Sequence, residues 1–169
     1  MLTVDRISIR APIDRVFTAA SDVERWPAIL PHYRSVRFLE RRADGGTVEM
    51  AAWRSFGGSE GGGPLRWPAW WVSEMTVDPP HREIRYRHVQ GITRGMDVIW
   101  RLRGTEGIEV RRHGGTVGTV GVEIVHSWDG PGWPLIGRAA AALVIGPVFV
   151  HGIAVRTLAG IKRFAEGAQ

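Results

Sequence analysis

Between Tyr33 and Trp128 one pattern dominates the chain: short runs of alternating apolar and polar residues, broken by glycine, proline or aspartate. Alternation with period two is what a strand with one buried face requires. The runs are 33–42, 46–55, 65–78, 82–90, 95–104 and 107–128, and residues 2–10, LTVDRISIR, form an earlier one. Closely spaced runs with short turns predict an antiparallel sheet. Asp44-Gly45-Gly46 marks a hairpin between the first two. Asp78-Pro79-Pro80 and the region of Gly91 mark further turns, and Pro68 assigns the start of 65–78 to an edge or bulge. The last run is interrupted by glycines and reads equally as one long bulged strand or as an extra hairpin.

Two stretches break the pattern. After the first strand, APIDRVFTAAS sets Ile13, Val16, Phe17 and Ala20 at helical spacing behind Pro12. Ser21 or Asp22 then caps a second short helix, Val23 to Trp26, which Pro27 and Pro31 end. Beyond Trp128 the period changes again. Residues 134–146 and 147–167 read as helices, the second with Val150, Ala154, Leu158, Ile161 and Ala165 on one face. Arg156, Gly160 and Arg163 fall on the other, and Lys162 and Arg163 suit the negative end of the helix dipole.

An apolar sheet face needs a cover, and the last helix is the element large enough to supply it. The expected fold is α+β: a curved antiparallel sheet of about seven strands wrapped around a long C-terminal helix, with two short helices after strand one. One domain over residues 1–169 fits the length. A single helix cannot fill a strongly curved sheet, so a cavity between them is expected.

Composition narrows the chemistry. The chain has no cysteine, which excludes thiolate catalysis and cysteine-held metals. Its six histidines lack metal-ligand spacing, so no metal is expected. GGSEGGG does not continue into a phosphate loop, and although Gly57-Gly58-Ser59-Glu60-Gly61 spells G-x-S-x-G, it lies in a glycine-rich loop ahead of a strand-like run, not at the strand-to-helix turn a nucleophile elbow needs. No cofactor is expected. The net charge is +5, and all of the 22 basic residues but Lys162 are arginine. They are scattered one or two per strand, so nucleic acid is not an expected partner. Residues 139–155 carry no formal charge, yet Gly146-Pro147 interrupts them, and a helix lying on the sheet explains them better than a membrane span. MLTVDRISIR lacks an apolar signal core, and a cytoplasmic location is expected.

The ordered set of segments resembles the polyketide cyclase/dehydrase and coenzyme Q-binding group of the START-like, helix-grip (SRPBCC) superfamily. The resemblance runs through APIDRVFTAASDVERWPAILPHYRSVRFLER, WWVSEMTVDPPHREIRYRHVQG, GMDVIWRL and the stretch from Val122 to Glu166. It implies a hydrophobic small-molecule ligand. In aromatase/cyclase members an inward Tyr, Ser and Arg are proposed to hold and protonate the chain. Tyr33 and Ser73 match the first two, but Met75 stands where the arginine does, and methionine can only pack. A further basic position of the family corresponds to His88, and a glutamine position to His126.

Strand parity supplies candidates independently. The more apolar faces carry Arg54; Trp71, Ser73 and Met75; Tyr86 and His88; Trp100; and His126 and Trp128. Tyr33, His88 and His126 are candidate acid–base residues, histidine being suited to proton transfer at neutral pH. Arg54, Trp71, Ser73, Met75, Tyr86, Trp100 and Trp128 are candidate ligand-binding residues. Eight tryptophans against two tyrosines fit a ring-lined pocket. Trp26 is expected to be a core plug. Two functions stay open: a polyketide cyclase or dehydrase, and a non-catalytic carrier of a lipid or isoprenoid quinone. Transient contact with a membrane surface and a homodimer contact through 67–71 are further expectations.

Overall fold

The computed structural model describes residues 1–56, 65–112, 115–128 and 150–167. Seven strands form one antiparallel sheet in the order β1-β7-β6-β5-β4-β3-β2. The strands are β1 (Leu2–Arg10), β2 (Tyr33–Arg42), β3 (Gly45–Phe56), β4 (Leu65–Asp78), β5 (Glu83–Gly91), β6 (Asp97–Arg112) and β7 (Gly115–Ser127). The helices are α1 (Ile13–Ser21), α2 (Trp26–Ile29) and α3 (His151–Gly167), with a 3-10 turn at Val23–Arg25. Because β1 joins β7 while β2 lies at the far edge, the α1–α2 segment carries the chain across the sheet from one edge to the other.

The β2–β3 hairpin forms where Asp44-Gly45-Gly46 predicts it. Gly45 and Gly46 have φ of 143° and 140°, and a Cβ on Gly46 would lie 2.1 Å from the Glu40 carbonyl oxygen, so glycine is required there. The ambiguous stretch 104–121 resolves as a long hairpin. β6 runs on to Arg112, β7 starts at Gly115, and the ladder is irregular between Thr105 and Val110. Further irregularities at Tyr33/Ser35, Phe38/Glu40 and Val72/Ser73 bend the sheet.

Three local expectations need correction. Pro27 does not end a helix; it sits in the first turn of α2, where its missing N–H costs nothing. Asp22 precedes the 3-10 turn without a side-chain capping bond and instead faces Arg25 at 3.9 Å. Gly160 is buried rather than outward: a Cβ there would come within 2.2 Å of Leu30 Cδ2, so the glycine lets α3 approach the end of α2.

The core lies between the concave sheet face and α1, α2 and α3. Ile9, Val16, Val23, Leu30, Val48 and Ile84 are fully enclosed, and Ile161 of α3 packs among them. Lys162, assigned above to the helix dipole, donates to the Ser8 carbonyl at 2.9 Å, and Glu166 accepts from the Arg10 amide at 2.8 Å, so α3 is tied along β1. Among the described residues no helix is long and apolar enough to cross a membrane. The expected helix 134–146 and the loop 57–64 lie outside the described residues.

Candidate functional site

Register lines the inner face up in rows. Met75 of β4 pairs with Tyr86 of β5, Tyr86 with Val98 of β6, Val98 with His126 of β7, and His126 with Thr3 of β1. A neighbouring row runs from Ile84 through Trp100 and Ile124 to Asp5. Parity therefore puts Trp100, Tyr86 and His126 on one concave surface, as the alternation predicts, and all three are buried.

A cavity of about 80 Å³ separates this surface from α3. Tyr33, Trp71, Tyr86, His88, Trp100 and His126, all expected site residues, form part of its wall. The other four expected residues share the inner face but not this wall. Ser73 and Met75 are enclosed in the packing, Trp128 donates its indole N–H to the Arg94 carbonyl at 3.0 Å, and Arg54 lies beneath the start of α3, near Gly152. Burial and the neighbouring Arg156 lower the Arg54 pKa to about 10, which still leaves it charged at neutral pH.

Aromatic rings shape the cavity. Trp26 packs edge-on to Tyr33 with centroids 4.9 Å apart and sits 5.8 Å from the Trp100 ring. Its indole N–H is satisfied by the Ala19 carbonyl at 3.1 Å, which explains why so large a ring is tolerated here. Trp26 is thus both the expected plug and a wall of the cavity. Trp71 stacks on His88 at 6.0 Å, with an interplanar angle of 19°.

The polar groups fall into two clusters. On one side Thr157 of α3 donates to the Ile153 carbonyl at 2.8 Å and lies 3.1 Å from His32 Nε2 and 3.5 Å from the Tyr33 hydroxyl. On the other, Thr93, in the turn after β5, lies 2.6 Å from His88 Nδ1. Burial pushes the Tyr33 hydroxyl well above the usual phenol range, against a smaller opposing effect from Thr157. Tyr86 is raised too, by burial and then by Tyr33. Burial lowers the histidines: His88 to about 3, helped by His126, and His126 to about 4, helped by His151. His32 falls to about 4 through burial and then Arg156 and Arg163. At neutral pH the cavity therefore offers neutral imidazoles and protonated phenols: hydrogen-bond donors and acceptors without fixed charge.

Sequence reasoning missed four polar or ring contributors. Thr157 lies seven residues after Val150, on the apolar face of α3, and helical spacing could have found it. Asp5 shares the inward parity of Ile7 and Ile9, but a carboxylate is rarely buried, so apolarity alone does not single it out. Thr93 sits in a turn, where no periodicity operates. Trp26 is expected as a core plug, and nothing in its spacing shows that it also walls the cavity. Among the described residues no group of three His, Asp or Glu could hold a metal ion.

The sequence model of the family described as polyketide cyclase / dehydrase and lipid transport matches residues 9–146. A Streptomyces cyaneus protein named as an inferred polyketide cyclase is 31% identical over 105 residues, covering 61% of this chain and 63% of that protein. The match thus spans less than two thirds of that relative's length. Among solved structures, the Zhui aromatase/cyclase from Streptomyces sp. R1128 superposes with a TM-score of 0.69 at 18% identity, over 98% of this chain and 93% of that one. A START superfamily protein from Mycobacterium smegmatis superposes with a TM-score of 0.61 at 14% identity, over 99% of each chain. These likenesses establish the START-like, helix-grip fold that the family resemblance implies and that the order of elements matches.

Proposed function

The chain belongs to the polyketide cyclase / dehydrase and lipid transport family, and from that premise we propose that it binds a polyketide-like or aromatic molecule in the cavity under α3. The observation that carries this reading is the cavity wall itself. Trp26, Trp71 and Trp100 supply flat apolar surfaces, and between them stand the His126 imidazole and the Tyr86 hydroxyl, which is buried without a hydrogen-bond partner among the described residues. Buried polar groups left unpaired cost free energy, which a ligand oxygen can recover. The described cavity, about 80 Å³, is smaller than the roughly 150 Å³ engineered cavity that accepts benzene. Binding a fused-ring molecule therefore widens it.

As a cyclase or dehydrase the protein would hold a reactive chain away from water and assist proton transfer. Neutral His88 and His126 are the proton acceptors, and Tyr33 the donor that orients an oxygen. The competing reading, a non-catalytic carrier of a lipid or isoprenoid quinone, draws on Met75: it is packed in the core where an arginine could have held an oxygen.

Two measurements separate these readings. Native mass spectrometry of the purified protein should find a hydroxylated aromatic, and titration with 1-naphthol should quench tryptophan fluorescence saturably, with weaker binding in Trp100→Ala. Retention of a prenyl quinone or fatty acid with no naphthol binding would favour the carrier. With a poly-β-ketone substrate, an unchanged product distribution in both His88→Gln and His126→Gln removes these residues from the chemistry.

A further inference from the structure

β1 turns its only acidic residue inward. Asp5 is 5% exposed and lies diagonally across from His126, whose neighbour in the strand face, Ile124, is its Cα partner. Its Oδ1 is 2.5 Å from His151 Nδ1 at the start of α3, and its Oδ2 is 3.9 Å from His126 Nδ1. Oδ2 and His126 Nδ1 are both buried without a hydrogen-bond partner among the described residues. Two unpaired groups, an acceptor and a ring nitrogen able to donate, thus face each other across a gap that a small ring rotation or one bridging water closes.

We propose that Asp5 is a positioning residue for His126. Its carboxylate holds the neutral imidazole in the tautomer with the proton on Nδ1. The Nε2 lone pair is then presented to the cavity as the acceptor for a phenolic or enolic hydroxyl of the bound molecule. His151, with a side chain 58% exposed, pins the other carboxylate oxygen from the solvent side. A carboxyl group this buried needs polar partners, and the His151 and His126 imidazoles face it. The titratable groups around His126 are Asp5, His151 and His88. The ligand class rests on the function proposed above; the tautomer does not.

The test is ¹⁵N-histidine NMR on the ligand-free protein at pH 7, with the His126 signals assigned by their loss in His126→Gln. The wild type should show His126 with its proton on Nδ1, and Asp5→Asn should move it to Nε2. In parallel, the wild type should bind 1-naphthol about tenfold more tightly than 1-methoxynaphthalene, which has no hydroxyl to donate, and Asp5→Asn should lose that preference. A wild-type His126 protonated on Nε2, or a tautomer unmoved in Asp5→Asn, overturns the proposal. Should Asp5→Asn fail to fold, the wild-type spectrum alone decides. If neither naphthalene binds, the ligand-binding reading fails while the tautomer still decides the role of Asp5.

Discussion

Tyr86 lines the cavity, and its hydroxyl is buried with no hydrogen-bond partner among the described residues. Leaving such a group unsatisfied costs about 1–3 kcal/mol. Replacing it by phenylalanine removes the cost with little change of shape. Tyr86→Phe should therefore unfold at the same temperature or higher. If the hydroxyl serves a ligand oxygen, the same change should weaken binding of 1-naphthol by about fivefold to tenfold. A thermal melt and a fluorescence titration check the two halves, and a lower melting temperature would show that the hydroxyl has a structural partner. At this scale parity was a good guide: Tyr86, His88, Trp100 and His126 reach the wall as alternation predicts, and Trp71 does so despite the irregularity beside it at Val72/Ser73. It failed for Asp5 because the rule that sorts faces by apolarity places a carboxylate outside, whereas here His151 and His126 stand within 4 Å of it. It could not separate Ser73 and Met75 from the wall either, since a shared face does not reveal which side chains the neighbours cover.

The turn between β5 and β6 carries an element of the site. Gly91 ends β5 with φ of 95°, and a Cβ there would lie 2.4 Å from the Trp70 carbonyl oxygen and 2.7 Å from Trp71 Cα. Both the dihedral and the space demand glycine. The turn it starts brings Thr93 to His88, and His88 is locked in turn by backbone bonds with Met96 and Gly95. Gly91→Ala should destabilise the protein by more than about 1 kcal/mol and loosen the Trp71–His88 stack. Denaturant unfolding measures the first; the His88 NMR linewidth reports the second. Wild-type stability in this variant would mean that the turn has slack that its geometry does not suggest. Elements of this kind were only partly legible. The β2–β3 hairpin could be read because Asp44-Gly45-Gly46 is a local signal. The extent of β6 could not, because its continuation to Arg112 depends on pairing with β7 rather than on its own glycine-broken pattern. Pro27 misled because proline both ends helices and begins them, and only the chain after it decides which.

The molecule as a whole encloses an uncharged polar cavity, and that has a consequence for its stability. His126 and His32 titrate at about 4 and His88 at about 3 in the fold, against about 6.5 when exposed in the unfolded chain. A histidine whose folded value is lowered binds its proton first in the unfolded state. Its contribution is complete above about pH 6.5 and is lost as pH falls towards the folded value. Each such group lowers stability by up to about 1.4 kcal/mol per pH unit in that window, less for His32, which solvent screens more. Glu49 and Asp78 are held below their ordinary range by Arg37 and His81 respectively. Their losses therefore begin below the ordinary carboxylate values of 4.5 and 3.8 and stay outside the range from pH 7 to 5. Urea unfolding at pH 7, 6 and 5 should show a falling midpoint with an unchanged slope against denaturant. His126→Gln should reduce the fall by about one proton's share, because glutamine fills the site without titrating. A midpoint flat from pH 7 to 5 would mean that these imidazoles reach water in the folded protein. The neutral, ring-walled interior on which ligand binding depends would then be absent.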